Sequence, residues 1–342
     1  MTQPAYDLAT LPSLAALLER EAADPQGSLP DDVRVPPHLL SRALFNPLRA
    51  VARRPSKGFR GRLVSIAYRL CGGEEPVPPA LPAALEALHL GSLVVDDVED
   101  ASARRRGGEA LHRLVGVPLA LNAGNWLYFF PTLLLERARF TPEVELALRT
   151  AIDRGVLHCH YGQALDLSVR VTELRRREVA EVVAATTRLK TGSLMELAAE
   201  VGALAAQAPA ESVQALGHFG RELGIALQML DDLTGVTSER RRHKGHEDLL
   251  EARPSWVWAW LSEREDDVSY LRLRALAEQV ARRELEPEGL AQLLGERVAE
   301  LGRKTVRQRL RVALAGVERA FAPSVVRAEL RDEVARLERY DG

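Results

Sequence analysis

The sequence predicts an all-α protein, a single large helical bundle of about ten or more helices. Three observations carry this. From Pro37 onward, apolar residues recur three and four positions apart, the spacing that lines one face of a helix. Ala, Leu, Arg and Glu dominate, and all are good helix formers. No segment alternates convincingly between apolar and polar residues, and aromatics make up only 5% of the chain.

Taken in order, residues 1–36 are rich in Pro, Asp and Ala, hold one short helix over 11–22, and read as a flexible N-terminal extension. Residues 37–342 form the helical domain. Breaks are expected near Gly72-Gly73 to Pro82, Gly107-Gly108, Gly116 to Pro118, Thr141-Pro142, Val169 to Thr172, Pro209, Arg240 to Pro254, and Pro287. Thr141 before Pro142 and Glu143 has the pattern of an N-cap followed by proline at the first helical position. Residues 114–135 carry no charge and are long enough to span a membrane. Pro118, Asn122, Asn125 and Pro131 interrupt them, so two shorter buried elements are expected instead.

Composition narrows the function. The chain has 342 residues, is 46% hydrophobic and carries a formal charge of -2, which excludes a mainly disordered protein and lacks the basic signature of a nucleic-acid binder. Cys71 and Cys159 form neither a disulfide framework nor a metal spacing. The N-terminus lacks a basic segment followed by an apolar one, so no signal peptide is expected and the protein reads as cytoplasmic. Of 46 basic residues only four are lysine, namely Lys57, Lys190, Lys244 and Lys304. A compact ammonium suits phosphate as a point charge, which makes the surviving lysines informative.

The strongest signal is Asp96-Asp97-Val98-Glu99-Asp100, closing the largely apolar stretch 81–95 and followed by Arg105-Arg106-Gly107. Asp96 and Asp100 are four apart and share one helix face. Clustered carboxylates are costly unless a cation neutralises them. Magnesium takes oxygen ligands and bridges carboxylates to substrate phosphates, and the two arginines suit the phosphates themselves. A second pair, Asp231-Asp232, ends the apolar run 223–230. Two such clusters on facing helices of a bundle could hold metals between them.

Together these residues resemble the trans-isoprenyl diphosphate synthase (polyprenyl synthetase) family, over about residues 40–260. The segment from Asp96 to Gly107 fits its first aspartate-rich motif. Lys57-Gly58-Phe59-Arg60 is similar to its Gly-Lys-x-x-Arg segment, with Ser56 in place of glycine. His89, Gly162-Gln163-Ala164-Leu165-Asp166-Leu167, Lys190-Thr191 and Gln228 match further family positions. The second motif departs from Asp-Asp-x-x-Asp: here it reads Asp231-Asp232-Leu233-Thr234-Gly235. Downstream, Lys244-Gly245-His246-Glu247-Asp248-Leu249 is shorter than the family pattern, and Arg253 stands where a second lysine is usual.

The resemblance implies an isoprenoid synthase type of bundle around a central cavity and a prenyl-chain-elongating transferase. Asp96, Asp100 and Asp231 would hold magnesium, three ions per site, with Asp97, Asp232 and Glu239 as further candidate ligands. Arg105, Lys190 and Lys244 would bind the allylic diphosphate, supported by Gln163, Asp166, Thr191 and Gln228. Lys57, Arg60, His89 and Arg106 would hold isopentenyl diphosphate. Gly91, Ser92 and Leu88, below Asp96, would set a product of about twenty carbons. A homodimer is expected, with residues 114–135 as one candidate interface.

Two alternatives stand. Asp231, Gly235 and Glu239 follow the i, i+4, i+8 spacing of a terpene synthase metal triad, which on one helix keeps roughly one face. The degraded second motif also fits a low-activity subunit that binds a partner. An isopentenyl pocket separates the first two readings, because a cyclase has no need of it.

Overall fold

A computed structural model describes residues 13–56, 58–73, 76–239 and 241–341. Among them the protein is all-α, with one two-stranded hairpin of two residues per strand. Contacts divide the chain into two compact units, Met1–Thr150 with Leu204–Gln207, and Ala151–Ala203 with Ala208–Gly342.

The first unit contains α1 (Leu14–Ala23), α2 (Pro37–Leu40), α3 (Asn46–Ala52), α4 (Phe59–Leu70), α5 (Ala80–Glu99), the strands β1 (Arg104–Arg105) and β2 (Gly108–Glu109), α6 (Leu111–Val115), α7 (Val117–Ala138) and the start of α8 (Pro142–Ser168). Its centre is the pairing of α5 with α7. Small residues bring the two backbones together: a Cβ at Gly91 would lie 2.9 Å from the Gly124 carbonyl oxygen, and one at Gly124 only 2.8 Å from Val95. Leu81, Leu85, Leu88, Leu127 and Phe130 fill this interface with almost no exposure.

Two expectations are corrected here. Residues 114–135 do not form two short elements after the break at Gly116; from Val117 they run through one 22-residue helix with Pro131 inside it. Pro118 sits in the first turn, where its missing N–H costs nothing. The N-terminal extension is not loosely attached from Leu14 onward. Ser13 caps α1 by accepting from the Ala16 N–H at 3.2 Å, Leu18 is wholly buried, and buried Glu21 pairs with Arg137 of α7. Burying one leucine stabilises by about 2 kcal/mol. Residues 1–12 lie outside the described residues.

The second unit holds the rest of α8, then α9 (Arg176–Thr187), α10 (Ser193–Ala205), α11 (Ala210–Thr237), α12 (Arg242–Leu250), α13 (Trp256–Arg264), α14 (Asp267–Ala281), α15 (Pro287–Ala320) and α16 (Val325–Asp341). Here α11 and α15 pack along their length. The break expected over Arg240 to Pro254 contains the nine-residue α12. Between α9 and α10 the helix widens into a π turn, Arg188–Gly192. No helix among the described residues is long and apolar enough to cross a membrane.

Candidate active site

In the first unit, α5 ends at the acidic cluster. Four carboxylates at a helix C-terminus oppose the helix dipole, so they favour a cation close by. Arg105 supplies part of it. Its Nε donates to Asp97 Oδ1 at 2.6 Å, and its Nη2 reaches Asp96 Oδ2 at 3.2 Å. Burial pushes the Asp97 carboxyl above its usual range, and the Arg105 pair only partly offsets this. Burial also opposes the charge of Arg105, but the bonds and charges of Asp97, Asp96 and Asp100 prevail and raise its pKa. Asp97 therefore acts as an anchor for Arg105. Asp96 and Asp100 stay half-buried on the neighbouring face.

The hairpin fixes the arginines. Arg106 and Gly107 both take positive φ, +50° and +79°, as a two-residue turn of the kind that matches strand twist requires. Arg54 staples this hairpin, donating from Nη1 to the Arg105 carbonyl at 2.9 Å and to the Glu109 carbonyl at 2.8 Å. The basic residues converge on His89. Burial, followed by the charges of Arg60, Arg106 and Arg105, holds its imidazole well below the usual pKa and therefore neutral at pH 7. Arg106 is itself depressed, by burial foremost. Arg60, Arg105 and Arg106 thus all act on His89, although Arg105 is paired with Asp97 and Glu86 acts on Arg106. Lys57 lies outside the described residues.

The product-length candidates separate. Gly91 faces the backbone of α7, so helix packing accounts for its size. Leu88 is buried in the same interface, and Ser92, half-buried, donates to the His89 carbonyl at 2.9 Å.

In the second unit, the close approach of α8 to the π turn is made possible by Gly162, where a Cβ would lie 2.3 Å from the Lys190 nitrogen. This presents Lys190, whose ammonium donates to Asp166 Oδ2 at 2.7 Å; Arg253 reaches the same oxygen at 3.2 Å. Gln163 is half-buried beside Gly162. Thr191 donates to Gln228 Oε1 at 2.9 Å, and Gln228 Nε2 donates to Asp232 Oδ1 at 2.8 Å. The other oxygen of Asp232 accepts from the Trp256 backbone N–H at 2.8 Å. Burial raises the Asp232 pKa to about 7 despite these donors. Asp248 is raised to about 6, again by burial, which the charges of Lys244 and Arg253 oppose. Asp231 pairs with Arg241 at 2.6 Å.

Sequence reasoning missed Arg54, Arg241 and the Trp256 amide. Arg54 and Arg241 sit in ordinary-looking basic runs, and no spacing marks a backbone N–H as a carboxylate partner. The terpene synthase spacing assumes one helix running through Glu239. The helix α11 stops at Thr237 and Ser238 turns extended (φ -116°, ψ 127°), so Glu239 leaves the face shared by Asp231 and Gly235.

The fold is shared with solved structures. The geranylgeranyl pyrophosphate synthase from Corynebacterium glutamicum, complexed with isoprenyl diphosphate and magnesium, superposes with a TM-score of 0.77 at 21% identity, covering 96% of this chain and 99% of that one. Among curated proteins, the geranylgeranyl diphosphate synthase of Sulfolobus acidocaldarius is 31% identical over 188 residues, 54% of this chain and 56% of that protein. The geranylfarnesyl diphosphate synthase of Aeropyrum pernix is 31% identical over 214 residues, 61% and 65% respectively. The aligned region thus spans less than two thirds of either relative. The polyprenyl synthetase family matches residues 41–292, and this chain belongs to it.

Proposed function

We propose that the chain is a prenyltransferase that condenses isopentenyl diphosphate with an allylic diphosphate to make a longer trans-prenyl diphosphate, with magnesium as cofactor. The observation that carries this is the convergence of Arg60, Arg105 and Arg106 on a neutral His89 beside the acidic end of α5. Such a patch suits a second diphosphate, which a cyclase does not bind. The named relatives make products of this class.

The first acidic cluster fits magnesium. Asp96 and Asp100 are half-buried carboxylates at an unfavourable helix end, and Arg105 is engaged chiefly by Asp97. Magnesium keeps several waters and is held by one or two carboxylates plus substrate phosphates, which Asp96 and Asp100 would supply in part. When bound, magnesium supplies positive charge to the pyrophosphate that leaves the allylic carbon.

This chain's residues do the rest. Asp96 and Asp100 hold the cofactor, and Asp97 orients Arg105. Lys190, steered by Asp166, and Lys244 bind diphosphate in the second unit, with Thr191, Gln228 and Gln163 positioning the groups around them. Arg60 and Arg106 grip the isopentenyl diphosphate, Lys57 joins them, and neutral His89 donates a hydrogen bond. Held in place, its double bond attacks the allylic cation, a new carbon–carbon bond forms, and a proton leaves to the released pyrophosphate. Positioning supplies much of the rate. Product length, about twenty carbons, would depend on Ser92, because Gly91 is committed to α7. Leu114, Val117, Leu119, Phe129 and Leu146 are exposed, which supports a homodimer that covers them.

The test supplies purified protein with magnesium, isopentenyl diphosphate and each allylic diphosphate from about five to twenty carbons, with products extracted before and after phosphatase. Longer prenyl diphosphates are the expected result. Hydrocarbons from an allylic substrate alone would overturn it.

A further inference from the structure

The second acidic pair does not fit a divalent cation. Asp232 is half-buried, and each of its oxygens already accepts a hydrogen bond, one from Gln228 and one from the Trp256 amide. The third position of the motif is Gly235, and a side chain there would crowd the next helix. A Cβ there would lie 3.1 Å from the Gly245 Cα, and a Cβ on Gly245 only 2.1 Å from the Gly235 carbonyl oxygen. The backbones of α11 and α12 are in contact at this point. That contact brings the start of α12 over Asp231, and Arg241, immediately before the helix, donates to Asp231 Oδ1 at 2.6 Å. The space enclosed by Asp231, Asp232, Gly235, Arg241, Lys244, Gly245 and Asp248 has room for about one water. A magnesium ion demands near-octahedral oxygen ligands and retains several waters, so it does not fit there.

We propose that Arg241 stands in for a metal ion at the second acidic pair: its guanidinium is the resident cation neutralising Asp231, and this half of the diphosphate machinery works without magnesium. The lost aspartate, the glycine-to-glycine contact and the arginine are then one device. Glycine at 235 and at 245 lets α12 lie close to α11, and Arg241 stands directly before α12. A guanidinium is permanently charged and presents several donors in a fixed plane, so it can hold Asp231 and still offer N–H groups to a phosphate. The inference rests on the reading of the chain as a diphosphate-binding enzyme, and it departs from the three-ion expectation.

The test counts Mn2+ bound to the full chain by electron paramagnetic resonance, with inorganic pyrophosphate present. Asp96→Asn plus Asp100→Asn silences the first cluster and isolates the second. In that background no Mn2+ should depend on Asp231. Adding Arg241→Gln should create one Mn2+ site, tighter by about tenfold or more than background binding, and Asp231→Asn should abolish it. Arg241→Lys, which keeps the charge, should not create it, and thermal unfolding of each variant reports whether it is folded. The proposal is overturned if Mn2+ binds with Arg241 intact and is lost in Asp231→Asn. It is also overturned if folded Arg241→Gln gains no ion. Failure of the enzyme reading looks different: the unaltered chain, with Asp96 and Asp100 present, would then bind no Mn2+ with pyrophosphate.

Discussion

Both acidic clusters end apolar helices, yet their carboxylates meet opposite environments. At the end of α5, Asp97 is buried against Arg105 while Asp96 and Asp100 stay half-buried on the adjoining face. In α11, half-buried Asp232 accepts from neutral donors, and Asp231 is held by Arg241. In the first cluster a single arginine reaches two aspartates; in the second, Asp231 meets an arginine and Asp232 meets neutral donors. The same dipeptide thus enters two different networks of partners. What decides is the element that follows the helix. After α5 comes a tight hairpin that turns Arg105 back onto Asp97, whereas after α11 comes a short helix pressed against Gly235.

The comparison can be broken or sharpened experimentally. The largest effect is expected at the first cluster. Asp96→Asn or Asp100→Asn should lower turnover by about 10²–10³-fold, measured as steady-state condensation with magnesium. A loss at Asp232→Asn as large as this would erase the distinction. Next comes Gly162→Ala, which drives a methyl group into the backbone of the π turn. It should destabilise by about 1–3 kcal/mol, read as a shift in denaturant midpoint. An unchanged midpoint would show that the turn yields easily.

Asp232 should also leave a pH signature in the metal-free protein. Its folded pKa of about 7 lies above the ordinary 3.8, so the folded state binds the extra proton. The associated stability is fully present below about pH 4 and is lost as pH rises through about 7. Asp232→Asn should flatten part of that decline in thermal unfolding, and the remainder belongs to Asp248, raised to about 6. A pH profile that does not change on Asp232→Asn would mean that its donors outweigh its burial. The smallest effect is expected at Arg54. Losing two bonds to hairpin carbonyls should raise the KM for isopentenyl diphosphate by about three- to tenfold with little change in kcat. Equal losses in kcat would make the hairpin part of the ionisation machinery rather than a support for binding.

Much of this was legible in the chain. The three- and four-residue periodicity is written by the same side chains that become buried, so helices such as α5 and α11 follow from local pattern. The first motif was legible because its residues are close in sequence, within a helix and a two-residue turn. The depressed pKa of His89 was not legible: it comes from burial and from Arg60 and Arg106, neither of them a sequence neighbour. Gly91 was read as a pocket residue because spacing along α5 cannot reveal that α7 lies against it. The triad through Glu239 assumed a helix that stops at Thr237.

By itself, then, the sequence determined the helical class, the acidic helix ends and the family, since each is encoded in residues that are neighbours or one turn apart. Tertiary structure alone decided the surroundings of each carboxylate. They depend on partners far away in the chain, such as the Trp256 amide on Asp232, and on backbone contacts such as Gly235 against Gly245. A carboxylate's chemistry is set by what surrounds it in space, and no periodicity in one dimension records that.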